Sequence, residues 1–351
     1  MIALKELLKK TMEKNASDLH LTVGAPPVIR VNGELKKLGS EKLQPADTER
    51  FSREILGKDY ERYNRVGEVD ISFSVSGLGR FRVNLFKQRG SCAIAIRVIG
   101  LKIPTLSELK FPSVVKKLLN YKKGLILVTG STGSGKSTTL AAMINEINSS
   151  RAAHIITLED PIEYLHKHNK SIISQREIGK DSLSYANALK SVLREDPDVI
   201  LVGEMRDLET ISTTLIAAET GHLVFSTLHT IGAAKTIDRI VDVFPPYQQQ
   251  QVKIQLAAVL KGIMCQQLIP KVSGEGRVAA VEIMIATAAI KNMIREGKTN
   301  QIESSMQTGS KYGMKTMDMS LAELYRKGCI SYESAMDYAV DNNMLTRIIS
   351  L

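Results

Sequence analysis

The run Gly130-Ser131-Thr132-Gly133-Ser134-Gly135-Lys136-Ser137-Thr138 places three glycines, a lysine and five hydroxyls in the order that suits a nucleoside triphosphate. It matches G-x-x-x-x-G-K-[ST], the phosphate loop. The glycines allow backbone N–H groups to converge on phosphate oxygens, and a helix starting behind them adds the positive end of its dipole. Lys136 would neutralise the β and γ oxygens. Ser137 carries the hydroxyl expected on Mg2+, while Thr138 packs or supplements the phosphate contacts. The expected ATP-binding set therefore comprises Ser131, Thr132, Gly133, Ser134, Gly135, Lys136, Ser137 and Thr138.

Ligands of an open parallel sheet lie beyond the carboxyl ends of its strands, so only acids that follow a strand are candidates. Glu204 follows Val199-Ile200-Leu201-Val202-Gly203 and qualifies. Asp198 precedes the same strand and belongs at the far end, as a turn or charge partner. Glu159 and Asp160 follow Ile155-Ile156-Thr157-Leu158 and join the nucleotide-binding set, with Glu163 a little farther on, after Pro161. Hydrolysis needs one acid to hold or order Mg2+ and another group to position the attacking water. Ser137 and Glu204 form the expected metal pair, Glu204 acting directly or through water. Glu163 is the candidate general base, and the choice between it and Glu204 stays open. His229 ends the apolar run from Leu223 and is a candidate γ-phosphate sensor; His222 precedes that run and either joins the site or faces a neighbouring element.

These residues need a frame. The phosphate loop stands directly between the strand candidate Leu125–Val128 and a helical stretch from Ser137. Further apolar runs alternate with helical stretches up to Thr227, the rhythm of a parallel sheet covered by helices on both faces. Before residue 100 the pattern differs. Ile2, Leu4, Leu7, Leu8 and Met12 recur at helical spacing, then Ile71, Phe73 and Val75, Phe81, Val83 and Leu85, and Ile94, Ile96 and Val98 alternate as in an antiparallel sheet. The expected division is residues 1–99, a linker over 100–121 around Pro104 and Pro112, and residues 122–351. The last quarter, from Gln248, reads as mostly helical, with one late strand around 279–285.

Composition sets limits. The chain has 351 residues, 43% of them apolar, and a formal charge of +10. That charge suits an acidic partner, yet the basic residues are dispersed, no polybasic arm appears, and there is no Trp to build a stacking platform. No nucleic-acid partner is therefore expected, although a nucleic-acid translocase is the alternative that the charge permits. Three dispersed cysteines exclude a disulfide framework or zinc ribbon. No membrane span and no signal peptide are expected, and a reducing cytoplasm fits best.

Taken in order, the phosphate loop, IITLEDPIEY, SQREIG, LREDPDVILVGEMRDLET and TGHLVFSTLHT resemble the secretion ATPase superfamily, most closely its type IV pilus retraction motors. The resemblance implies a RecA-like ATPase domain preceded by a small α+β, PAS-like domain, and a homohexamer binding ATP between domains. It also implies arginines of the first domain near the phosphates, here Arg80, Arg82 and Arg97. On the strand reading these lie opposite Phe81, Val83 and Ile96, on a polar face. The run from Ala289 to Glu296, AIKNMIRE, resembles a retraction signature and departs from it at Lys291 and Met293. The resemblance is to retraction rather than assembly ATPases, which usually carry an extra N-terminal domain and a tetracysteine zinc element; 351 residues and three cysteines are not expected to supply them. The partners so implied are an inner-membrane pilus platform protein and an accessory retraction ATPase, at the inner face of the cell membrane.

Overall fold

The computed structural model describes residues 3–31, 33–99, 103–274 and 276–350. It divides into two compact units, Met1–Lys102 with Glu163–Leu165, and Ile103–Ile162 with His166–Leu351.

In the first unit, helix α1 (Leu4–Glu13) buries Leu4, Leu7, Leu8 and Thr11, the three-and-four spacing of a helix with one apolar face. Ile2, part of the same sequence pattern, lies outside the described residues. Strands β1 (Asp18–Leu21), β2 (Val28–Val31), β3 (Glu34–Lys37), β4 (Glu68–Val75), β5 (Gly79–Gln88) and β6 (Ser91–Val98) form an antiparallel sheet in the order β3-β2-β1-β6-β5-β4. Helices α2 (Pro45–Leu56) and α3 (Tyr60–Val66) connect β3 to β4. Along β5, Phe81, Val83 and Leu85 are buried while Arg82 and Asn84 are exposed, so the sheet has one core face and one wet face. The core face packs Leu8, Phe51 and Ile55 against Leu19, Ile29, Phe81 and Ile94.

The second unit begins with α4 (Ser113–Leu119), β7 (Gly124–Thr129), α5 (Lys136–Ser150), β8 (His154–Glu159), β9 (Ile172–Glu177) and α6 (Tyr185–Val192). It continues through β10 (Val199–Val202), α7 (Leu208–Glu219), β11 (Leu223–Leu228), α8 (Ala233–Asp242) and α9 (Pro246–Val259). It ends with β12 (Leu260–Pro270), β13 (Arg277–Ile285), α10 (Ala288–Glu296), α11 (Ile302–Gln307), α12 (Met317–Arg326), α13 (Tyr332–Asp337) and α14 (Asn342–Ser350). The sheet order is β13-β12-β7-β11-β10-β8-β9, parallel except for the β12–β13 pair. Every residue of β7, β10 and β11 is buried, which explains their unbroken apolar runs. One face packs against α7, α8 and α9 through Ile211, Leu215, Ile237 and Leu256. The other packs against α4 and α5 through Val115, Leu118, Met143 and Ile147.

Two expectations change. Residues 100–102 of the expected linker lie outside the described residues, and the rest of it belongs to the second unit, where α4 buries Val115, Leu118 and Leu119 beside Ile126 and Val128. The last quarter is largely helical with its late strand in β13, but it also holds a strand that was not expected, because β12 follows α9 without a turn and pairs with β7 on one side and β13 on the other. Its sequence mixes Lys261, Gly262, Gln266 and Gln267 among apolar residues, so neither period stands out; pairing on both edges decides its conformation.

Candidate active site

The phosphate loop leaves β7 at Thr129 and enters α5 through Gly135, whose φ of 89° is left-handed. Two glycines here are required by proximity. A Cβ on Gly130 would stand 2.3 Å from the Gln266 carbonyl oxygen and 2.7 Å from Ser134 Oγ, and one on Gly135 would stand 2.8 Å from Gln266 Nε2. Lys136 Nζ donates to the carbonyls of Gly130 and Ser131, 2.9 Å to each, so the ammonium is held over the loop it would serve. Ser131, Thr132, Gly133 and Ser137 are exposed, Thr138 is half-buried and Ser134 is buried. Behind them, α5 runs for 15 residues, long enough to present a full set of free N–H groups at its start.

The parallel register carries the other candidates to the same edge. Thr129 is level with Leu228, and Val202 is level with both Ser226 and Leu158. Gly130, His229, Glu204 and Glu159 therefore emerge together at the carboxyl ends of β7, β11, β10 and β8. Glu204 Oε2 accepts from Arg206 Nε at 2.7 Å and lies 3.4 Å from His229 Nε2. The turn beneath it is fixed by Met205 N–H donating to the Thr227 carbonyl at 3.0 Å and the Thr227 hydroxyl donating to Gly203 at 2.6 Å. Glu159 Oε1 accepts from the Thr157 hydroxyl at 2.6 Å and from Gln175 Nε2 at 3.1 Å, and Asp160 is exposed.

Tyr185, which no motif in the sequence marks, stands among these acids. A Cβ on Gly203 would lie 2.5 Å from its hydroxyl. Burial, and then the carboxylates of Glu204, Asp160 and Glu159, hold the phenol well above its ordinary range. Its only signal in sequence was its place after Ser184, which caps α6 by accepting from Asn187 N–H. Gln266 is likewise unmarked in sequence, because its strand has no clear period of its own.

His222 does not join this group. It lies at the opposite edge, where its carbonyl accepts from Gly124 N–H at 3.0 Å and its Nδ1 is 2.9 Å from the Ala217 carbonyl at the end of α7. Asp198 lies at that far edge too, accepting from His154 N–H at 2.9 Å. Glu163 is exposed and belongs to the segment that groups with the first unit.

On the first unit, Arg82 and Arg97 are cross-strand neighbours on the wet face. Arg82 donates twice to Asp70, at 3.1 and 3.4 Å, and Arg97 Nε donates to Asp18 Oδ1 at 2.9 Å. The two pairs line a cavity of about 250 Å³ with Asn84 and Ala95. Burial acts to raise the Asp18 carboxyl, but hydrogen bonds from Ser17 and Arg97 outweigh it and hold the group below its usual range. Arg80 is half-buried on β5, level with Ser74.

The donor set fits magnesium held with a nucleotide. Among the described residues no group of three or more His, Cys, Asp or Glu side chains could hold a metal by itself. Mg2+ on a nucleotide keeps waters and phosphate oxygens and asks the protein for one or two oxygen ligands, which Ser137 and Glu204 can offer. Among the described residues no helix is long and apolar enough to cross a membrane.

The family described as Type II/IV secretion system protein matches residues 1–339. A type IV pilus retractation ATPase PilT of Pseudomonas aeruginosa is 49% identical over 340 residues, covering 96% of this chain and 98% of its own. A twitching motility protein of Neisseria gonorrhoeae is 49% identical over 322 residues, 91% of this chain and 86% of its own. A crystal structure of the pilus retraction motor PilT with bound ADP matches with a TM-score of 0.93 and 51% identity, over 99% of this chain and 100% of that one. With a match that spans nearly its whole length, the chain belongs to the type II/IV secretion system protein family and has the RecA-like fold of its ATPases.

Proposed function

We propose that the chain is an ATPase that drives retraction of type IV pili. The observation that carries the ATPase reading is the shared sheet edge: Lys136 at the head of α5, with Glu204 beside His229 two strands away. The 49% identity to a pilus retraction ATPase supports the retraction step.

Lys136 exchanges the two loop carbonyls for β and γ phosphate oxygens. Ser137 and Glu204 would hold Mg2+, which would supply positive charge to the phosphates when bound. Glu204 orders the attacking water and Glu163 is the candidate to take its proton. Arg80, Arg82 and Arg97 bring positive charge to the γ-phosphate, and His229, through Glu204, registers whether it is present. His222 fixes the end of α7 at the far edge. Glu159 and Asp160 complete the acidic side of the nucleotide site.

Residues 1–99 are the PAS-like domain, and residues from 122 onward the ATPase domain with a helical region from about 286. The working form is a homohexamer at the cytoplasmic face of the inner membrane, docked on a pilus platform protein. Deletion of the gene in its source cell tests the reading. Retraction predicts excess surface pili and no twitching; loss of pili would instead assign the chain to assembly.

A further inference from the structure

We infer that Gln266 is a positioning residue of the nucleotide site, acting through the phosphate loop rather than on the nucleotide. The inference rests on the ATPase reading. Gln266 is 3% exposed and lies on β12 just beyond the level of Thr129, since Cys265 and Thr129 are register partners. Its amide bridges the loop and the helix behind it: Nε2 donates to the Ser134 carbonyl and Oε1 accepts from the hydroxyl of Thr139 in α5, each at 2.7 Å. The amide has only one satisfactory orientation, because a carbonyl oxygen can only accept and so requires the NH2 end at Ser134.

The consequence follows from the planar peptide. In a trans peptide the C=O of one residue and the N–H of the next point in opposite directions. Drawing the Ser134 carbonyl onto Gln266 therefore aims the Gly135 N–H away from β12. That N–H is one of the loop donors expected to close on phosphate. The Thr139 bond ties the same amide to the first turns of α5, so loop and helix start are held as one piece. Two glycines permit this close approach of loop and strand: a Cβ on Gly135 would collide with the Gln266 amide itself, and one on Gly130 with the Gln266 main-chain carbonyl.

The test compares wild type with Gln266→Met, which keeps length and removes both bonds, and with Thr139→Val, which removes only the helix tether. ADP affinity is measured by calorimetry, the split between KM and kcat by steady-state ATP turnover, and folding by thermal melting without nucleotide. The expected result is a rise of about tenfold or more in the ADP Kd of Q266M and about threefold for T139V, with KM rising more than kcat falls. A purely structural amide would lower the melting temperature and leave ADP affinity within twofold of wild type in both variants, which would overturn the inference. If Q266M fails to fold, T139V decides: a threefold weaker Kd supports the role and an unchanged Kd overturns it. Wild type that binds no ADP would defeat the ATPase reading itself, a separate outcome.

Discussion

Glu204 and His229 meet across the edge of two parallel strands, Oε2 to Nε2 at 3.4 Å, with Arg206 on the same oxygen at 2.7 Å. A carboxylate engaged in this way is directed rather than free. Glu204→Gln keeps the shape and removes the charge, so turnover should fall by about 10² to 10⁴, the usual worth of a positioned acid or base. ADP binding should stay near wild type. Comparable losses in binding and turnover would place Glu204 in ground-state binding instead.

The arginines of the first unit can be separated from ordinary surface ion pairs. Arg82 and Arg97 are each about half exposed or more, and a pair of that kind contributes roughly 0–1 kcal/mol to stability. Arg82→Ala and Arg97→Ala should therefore melt within a few degrees of wild type. Their turnover should fall much further, by up to about 10³ to 10⁵ if they meet γ-phosphate charge. Asp70→Asn should leave turnover close to normal. Arginine variants with full turnover would return these residues to the solvated face.

His166 gives the fold a pH dependence. Its Nδ1 is buried without a hydrogen-bond partner, and burial lowers the ring from 6.5 to about 4. Below 6.5 the unfolded chain takes up a proton that the folded chain refuses until about 4, so this residue's stabilisation is complete above that window and is lost as pH falls through it. The loss is about 3 kcal/mol across the window. Urea unfolding of wild type at pH 7 and pH 4.5 should differ more than unfolding of His166→Asn, whose stability should vary less over the same range. Equal pH dependence would mean that the ring is solvated.

The sequence was informative where local chemistry and geometry coincide. The phosphate loop needs no partner to be recognised, and the acids after β8 and β10 follow from the rule that parallel strands deliver ligands at their carboxyl ends. Arg82 and Arg97 were assigned to the wet face by the alternation of Phe81, Val83 and Ile96, and the exposure pattern agrees. Gln266 and Tyr185 were not legible. Gln266 touches the loop across a separation of 132 residues, on a strand held by its two neighbours rather than by its own period. Tyr185 acquires its surroundings from two segments distant in sequence, the ends of β8 and β10. The stretch expected as a linker carries core residues for a related reason: Pro104 and Pro112 break the pattern, but Leu106, Val115 and Leu118 still find apolar partners in the second unit.

The central claim is that Gly130 to Ser137 forms a cradle whose nucleotide is hydrolysed. Magnesium-dependent phosphate release from ATP, measured side by side for purified wild type and Lys136→Ala, tests it most directly. The expected result is steady release by wild type and none above background for the variant. Equal release by both, or none by either, would contradict it.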